Sequence, residues 1–513
     1  MIYTLDAGDG GLASDLDGMD ASDKLWTGGA NVRFENGYLK PFEGHSALYD
    51  PPSVVPYGIF PLRTVSQNLW AYMGLAKAYA VNNAGTHSDI TRAAGDYTAT
   101  ANTKWTGGAL TSYLIFNNVN DAPQSWNGDT SSDAILLANW TSTTRCAAIR
   151  PLRNYLVAVN ITKNGTPYPV LVKWSHAADP GALPTSWDET DPTKDAGEQD
   201  LSDCNGALVD VMPLGDLGII YASDSYHSMQ YIGGTYIWRF QKLFGGVGAL
   251  SQNCAIEYPG GHCVLTSGDV ITHSGGAPQS IINARMRSNL FGAIDSTNYG
   301  RSFVAHNELR SEIWVCIPET GMAACTKAYV WNYAQNSWSI RDLPNATAAN
   351  LGPVVSAAAS TWETAEGTWA DDTGTWTEAN ISSIKRRLVL TTTGTKLYLI
   401  DDGTTYDGSA PTMYVERTGL DLGDPSAIKF VKSVRPHIDA AQGTVVNVRM
   451  GGSMTADGQV AWSDPIPYTV GSSIGAYGRV SGRFIGVKME SVAGASWRCR
   501  KLGIEYVASG QRG

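Results

Sequence analysis

His262 and Cys263, with His273 further along, come nearest in this chain to a zinc ligand set, because imidazole and thiolate are ligands that tetrahedral zinc prefers. A convincing fourth ligand is missing. Gly471-Ser472-Ser473-Ile474-Gly475 spells the GxSxG of a serine hydrolase, but a nucleophile elbow leads from a strand into a helix. Here AYGRVSGRF follows, Gly-interrupted and strand-like, so the match reads as a turn. Asp401-Asp402-Gly403 and Asp407-Gly408 offer the oxygens Ca²⁺ takes, yet Asp-Gly pairs in a β-rich chain ordinarily make turns. There is no P-loop, HExxH, EF-hand or GxGxxG fingerprint in a supporting context. No catalytic, cofactor-binding or metal-binding residue is therefore assigned, and no cofactor is expected.

Two other residue patterns point to contacts rather than reactions. Trp362, Trp369 and Trp376 recur every seven residues, each preceded by Thr, in a Gly/Thr/Asp/Glu setting without the apolar pairing of a coiled coil. A surface excursion displaying aromatics suits another subunit or partner; rings folded back onto their own domain are the open alternative. Arg479, Arg483, Arg498 and Arg500 make the C-terminal region locally basic, which an acidic partner or simple outward alternation on solvated strands would explain equally. Trp362, Trp369, Trp376, Arg479 and Arg483 are the candidate interface residues.

The elements that must position these residues are strands. Glu312 to Ile317 alternates and is closed by Pro318, Thr320-Gly321 turns the chain, Ala328 to Tyr333 returns it, and a third strand starts at Trp338. Such a three-stranded unit is marginal in water without neighbours on its faces. The chain supplies them: similar units begin at Asn68, Thr111, Asn154, Leu217, Gly261 and Lys385, most of them roughly 40 to 50 residues apart, the period of a propeller blade. Longer intervals carry insertions at Ala177 to Cys204 and at about 345–384. The expected fold is mainly β: a six- or seven-bladed β-propeller over 61–425 with a Trp-rich insertion, preceded by an N-terminal arm and hairpin over 1–60. From 426 to 513 the rhythm changes to alternating segments parted by Gly and Pro, which reads as a β-sandwich. Residues 1 to about 25 read as a loose arm that orders only against a partner. Asn36-Gly37 between VRF and YLK signals a hairpin, whose strands either complete the last blade or dock on the C-terminal domain.

Bulk chemistry narrows the function classes. With Lys+Arg 37 against Asp+Glu 48 the formal charge is -11, which lacks the basic excess that tight binding to phosphates requires. The opening MIYTLDAGDGGLASDLDGMD is acidic with no apolar core, so neither a secretory leader nor stable membrane insertion is expected. Seven cysteines, an odd count with no CxxC pair, fit thiols in a reducing cytoplasm. Cys316 and Cys325 lie symmetrically about the Thr320-Gly321 turn and are read as facing each other, as two small buried hydrophobes or as a bridge. Carbohydrate chemistry is the enzymatic rival, because sialidase propellers repeat an Asp-box, Ser-x-Asp-x-Gly-x-x-Trp. Asp372-Thr373-Gly374-Thr375-Trp376 comes one residue short of it and occurs once.

Taken in order, several stretches resemble the tail nozzle or hub proteins of short-tailed, podovirus-like bacteriophages. These are ANVRFENGYLKPFEGH, YVWNYAQNSWSIRDLPNAT, TWETAEGTWADDTGTW, YLIDDGTTYDG with MYVERTGLDLGD, and finally GRVSGRFIGVKMES with SWRCRKLGIEYV. The resemblance implies a structural virion protein rather than an enzyme, a β-propeller that forms a homohexameric ring beneath the adaptor of the head-to-tail connector. Such a ring continues the DNA channel, closes it before infection, supports DNA ejection with only transient contact to the genome, and carries fibres or spikes. It is assembled in the host cytoplasm. In a six-membered ring the duplex is expected to run through the shared centre, not through each propeller's own hole. The alternative reading is a glycan-binding or glycan-cleaving propeller of a phage tail.

Overall fold

Alternating apolar residues closed by glycine and asparagine turns fold into short antiparallel strands throughout. The computed structural model describes residues 1–234, 236–355, 384–491 and 494–511. Five four-stranded sheets follow one another along the chain. Blade one runs from Gly58–Arg63 to His87–Asp89, blade two from Thr106–Leu110 to Ile135–Leu136, and blade three from Thr144–Leu152 to Gly197–Asp200. Blade four runs from Leu208–Leu214 to Trp238–Gly245 and blade five from Ala255–Tyr258 to Gln279–Ser280. The stretch 177–204 is the long excursion that precedes and includes the outer strand of blade three.

A seven-stranded sheet supplies the last two blades because one of its strands, Ser337–Val355, serves both. Its first half pairs with Cys325–Asn332 as the outer strand of blade six, whose inner strand is Phe303–Asn307. Its second half pairs with Ile384–Thr392 and becomes the inner strand of blade seven. Lys396–Ile400 comes next, and His45–Ala47, from the N-terminal region, is the outermost strand. Seven blades thus close into a ring. At the seam the inner strand of blade seven lies on blade one, where Trp70 Nε1 donates to Pro353 O at 3.1 Å and Asn350 Nδ2 to Ile59 O at 3.0 Å. Gly352 is required there: a Cβ would stand 2.6 Å from Pro61 Cβ and 2.7 Å from the Trp70 ring.

The apolar faces of each blade are buried against its neighbours, not within itself. Separate cores fill the gaps between blades one and two around Trp105 and Phe116, two and three around Trp140 and Ile149, and three and four around Trp174 and Val211. Others fill four to five around Tyr221, six to seven around Trp314, and seven to one around Trp70. The core between blades five and six continues into the second unit.

That second unit is a sandwich of two six-stranded sheets. It is larger than 426–513: Met413–Leu420 belongs to it, and residues 1–41 contribute four strands. Ile2–Asp6 and Tyr38–Pro41 pair with Trp497–Gln511, Val32–Glu35 pairs with Tyr38–Pro41, and Gly28–Ala30 pairs with Met413–Leu420. The arm read as loose is therefore ordered against its own chain, because Leu5, Leu12 and Trp26 complete the same apolar core as Val431, Val448 and Ile504. The Asn36-Gly37 hairpin forms with both residues at positive φ, 54° and 72°. Both roles left open for the N-terminal strands are filled, by different strands: His45–Ala47 completes the last blade and 1–41 docks on the C-terminal sheets.

Candidate functional site: a plugged axial channel and a charged joint

The inner strands of the blades surround an axial cavity of about 260 Å³, lined by Phe60, Arg150, Met212, Ala255, Ala305 and Ala348 among others. The loop before blade two crosses its mouth. Arg301 Nε donates to Asn102 Oδ1 at 2.7 Å, and Lys104 Nζ donates to the carbonyls of Arg301 at 2.8 Å and Ser302 at 3.1 Å. Burial pulls the Lys104 ammonium below the usual lysine range. Deeper in, Arg150 makes a two-pronged bond to Asp210 at 3.0 and 2.9 Å and donates to Gly107 O at 3.0 Å. Asn253 donates its backbone N–H to Asp210 Oδ2 at 3.0 Å and its amide to Trp105 O at 3.1 Å. Blades two to six are tied across the axis by these bonds. A cavity of this size cannot pass a duplex whose major groove alone is about 12 Å wide.

The second concentration of chemistry lies where the N-terminal hairpin meets blades six and seven. Arg33, Glu312, Asp401 and Arg341 have side chains no more than 2% exposed. Arg33 grips Asp401 at 2.8 and 3.0 Å through one nitrogen and donates to Glu312 Oε2 at 3.1 Å. Its Nε is 2.7 Å from Glu312 Oε1, an ion pair whose angle is too bent for a hydrogen bond. Arg341 reaches Asp401 at 3.4 Å, Asn307 Nδ2 donates to Asp401 at 2.7 Å, and Trp314 Nε1 donates to Glu312 at 3.0 Å. Phe42 lies beneath both guanidinium groups, 4.6 Å from Arg33 and 5.2 Å from Arg341. Arg310, Lys40, Glu35 and Glu43 extend the cluster to the surface, so four cations face four carboxylates.

Burial opposes ionisation of Asp401, but Arg33 and Arg341 outweigh it and hold the carboxyl below the usual range. At Glu312 burial wins and the pKa is raised. Two carboxyls this close resemble an acid pair, but their oxygens are occupied by arginine, tryptophan and asparagine donors. The arrangement clamps three segments of chain distant in sequence; it does not present an acid to a substrate.

The singled-out residues that lie among the described ones each have a definite place. His262 and His273 are opposite each other on adjacent strands of blade five, with the Tyr221 hydroxyl 2.7 Å from each. His262 Nε2 donates to Pro213 O at 2.7 Å, and Gly275 N–H donates to His273 Nδ1 at 3.2 Å. These partners fix one proton on each ring and one direction: Gly275 N–H to His273, His273 Nε2–H to Tyr221, Tyr221 O–H to His262, and His262 to Pro213. Burial pushes both imidazoles down to about 4. Cys263 points to the opposite face, with its thiol pushed up to about 12 by burial. Neutral rings joined through a phenol form a buried hydrogen-bond chain, not a zinc set, and no group of metal ligands occurs among the described residues.

Ser472 and Ser473 sit in the turn between Ile466–Thr469 and Ala476–Gly482, with Gly471 at φ 87°. Asp401 belongs to the charged joint, and Asp407 pairs with Lys396 and accepts from Tyr398 at 2.9 Å. Cys316 lies opposite Ala328, not Cys325; both thiols are free and buried between blades six and seven, so the expected facing pair is displaced by the strand register. Arg479 is exposed on Ala476–Gly482, and Arg483 sits in the bend after it, where its carbonyl accepts from Lys429 at 2.6 Å. Arg498 pairs with Asp439, and Arg500 lies 5.8 Å from the Tyr38 ring. Trp362, Trp369 and Trp376, with the incomplete Asp-box, lie outside the described residues. Spacing gave no sign of Arg33, Arg341 or Tyr221: in Val32-Arg33-Phe34 and Ser339-Ile340-Arg341 the arginines occupy the polar positions of the alternation and read as solvent-facing.

No family model matches the chain, and no curated protein matches it. Among solved structures it is similar to the WD40 β-propeller domain of Doa1, at 7% identity and a TM-score of 0.39 over 70% of this chain and 97% of that one. It is also similar to PorZ, a bacterial surface component of the type-IX secretion system of Porphyromonas gingivalis, at 9% identity and a TM-score of 0.35. That match covers 84% of this chain and 48% of PorZ. The propeller fold rests on the strand topology.

Proposed function

We propose that this chain is a structural subunit of a short bacteriophage tail, forming the distal nozzle as a ring of six copies below the adaptor. The carrying observation is the clamp made by residues 1–47, which place strands in both units and anchor them through Arg33. Propeller and sandwich are fastened by main-chain pairing and buried charge, as a part under mechanical load requires. The plugged axis supports a DNA path through the centre of the ring, outside each propeller. The net charge of -11 suits a wall past which a polyanion slides without sticking. A ring makes each contact heterologous, so a subunit presents two different complementary patches; Arg479, exposed on the sandwich, is offered for one of them. Partners in this reading are the adaptor, fibres or spikes, and the genome in transit; the seven free, buried thiols suit assembly in a reducing cytoplasm.

Imaging of assembled particles tests this. Six copies around the tail axis below the adaptor are expected. Purified chain that stays monomeric with the adaptor present, and is missing from particles, overturns the reading.

A further inference from the structure

A second hollow of about 360 Å³ opens beside the plug, at the face where the inner strands begin. It differs from the axial cavity in one decisive way. In the channel, Lys104, Arg150, Asn253 and Asn350 spend their polar groups on the protein itself. Around the mouth hollow, the side chains of Asn102, Asn160 and Asn298 spend only one end of each amide this way, and those of Gln252, Thr297 and Tyr299 spend neither end on a described residue.

Three of these amides are half spent, which fixes how the remaining half points. Asn102 accepts from Arg301 through Oδ1, leaving its N–H donors. Asn160 gives Nδ2 to Leu208 O at 3.1 Å, leaving an acceptor. Asn298 gives Nδ2 to Asp295 at 3.2 Å and Met322 O at 3.1 Å, also leaving an acceptor. The Gln252 amide and the Thr297 and Tyr299 hydroxyls have no hydrogen-bond partner among the described residues. Donors and acceptors held in fixed directions on neighbouring walls match vicinal hydroxyls, each of which gives one hydrogen bond and takes others. Among the described residues no carboxylate, lysine, arginine or histidine lines the hollow, so an anion finds no counter-charge in that lining. The Tyr299 ring, 47% exposed, offers a flat apolar surface for a face of C–H bonds. The volume falls within the range of about 300 to 1,000 Å³ usual for small-ligand sites.

We propose that this mouth pocket binds a neutral saccharide, one or two sugar rings deep. It is a binding site without catalysis, and it stands independently of the nozzle reading. The test uses the full chain on an array of neutral, sialylated, sulfated and phosphorylated glycans, followed by saturation-transfer NMR with the strongest binder and with adenosine. Binding to at least one neutral glycan is expected, with transfer to ring protons and none to adenosine. Tyr299→Ala and Gln252→Ala should each weaken it at least about tenfold. Tyr299→Phe, which keeps the ring, should retain more binding than Tyr299→Ala. Unchanged thermal melting verifies that the variants fold. Absence of neutral-glycan binding, preference for the charged glycans or adenosine, or Tyr299→Ala binding as tightly as the parent overturns the proposal.

Discussion

Asp401 is a residue on whose charge two buried arginines depend. It adopts φ 58°, a conformation asparagine tolerates, so Asp401→Asn removes charge without disturbing the backbone. Arg33 and Arg341 would be left under-compensated, at an expected cost of roughly 3 to 5 kcal/mol, read as a lowered urea midpoint. The Tyr221 hydroxyl holds two rings at once. Tyr221→Phe should cost about 1 to 3 kcal/mol, since both imidazoles lose a partner in a place water does not reach. The same pair sets a pH dependence. In the unfolded chain each imidazole takes its proton near 6.5, in the folded chain near 4. Between those values the unfolded state binds more protons, so this contribution is intact above 6.5 and is lost as pH falls toward 4. Denaturation midpoints should drop between about pH 7 and about pH 5, and less steeply in a variant with both rings replaced by glutamine.

At the scale of elements, the propeller is closed by two seams of different kinds. The packing seam between blades seven and one needs Gly352, where any Cβ meets Pro61 and the buried Trp70 ring. Gly352→Ala should destabilise by about 1 to 3 kcal/mol, checked by chemical denaturation. The hydrogen-bonded seam needs His45–Ala47 on Lys396–Ile400. Removing residues 1–47 uncovers that edge, a flank of Trp497–Gln511 and the edge of Met413–Leu420 together, leaving three unpaired strand edges. The truncated chain should aggregate as made, by light scattering, instead of yielding a free propeller and a free sandwich.

For the molecule as a whole, the acidic charge and the plugged axis both bear on nucleic acid. Duplex DNA at about 0.15 M salt should give no retardation with the purified chain, because a net charge of -11 lacks the basic excess that would release counterions. If the chain forms the proposed nozzle, enlarging the axial cavity by Arg150→Ala should leave ejection through an assembled tail unaltered while lowering stability, since the Asp210 carboxylate loses its two-pronged partner. Ejection assays on particles carrying that substitution separate the two paths.

The sequence by itself determined the class of structure. Period-two alternation and Asn-Gly or Thr-Gly turns act over a few residues, so the blade rhythm, the hairpin at Asn36-Gly37 and the change of rhythm near the C-terminus were legible without coordinates. It also marked the histidines of blade five, though it offered zinc where a tyrosine stands between them. What it did not reveal were pairings across hundreds of residues: His45–Ala47 on the last blade, residues 1–41 in the sandwich, Arg33 on Asp401, and Arg301 bonded to Asn102 across the axis. Local pattern says that an edge or a charge needs a partner. Only the closed ring, which brings the two ends of the chain to one place, decides which partner it meets.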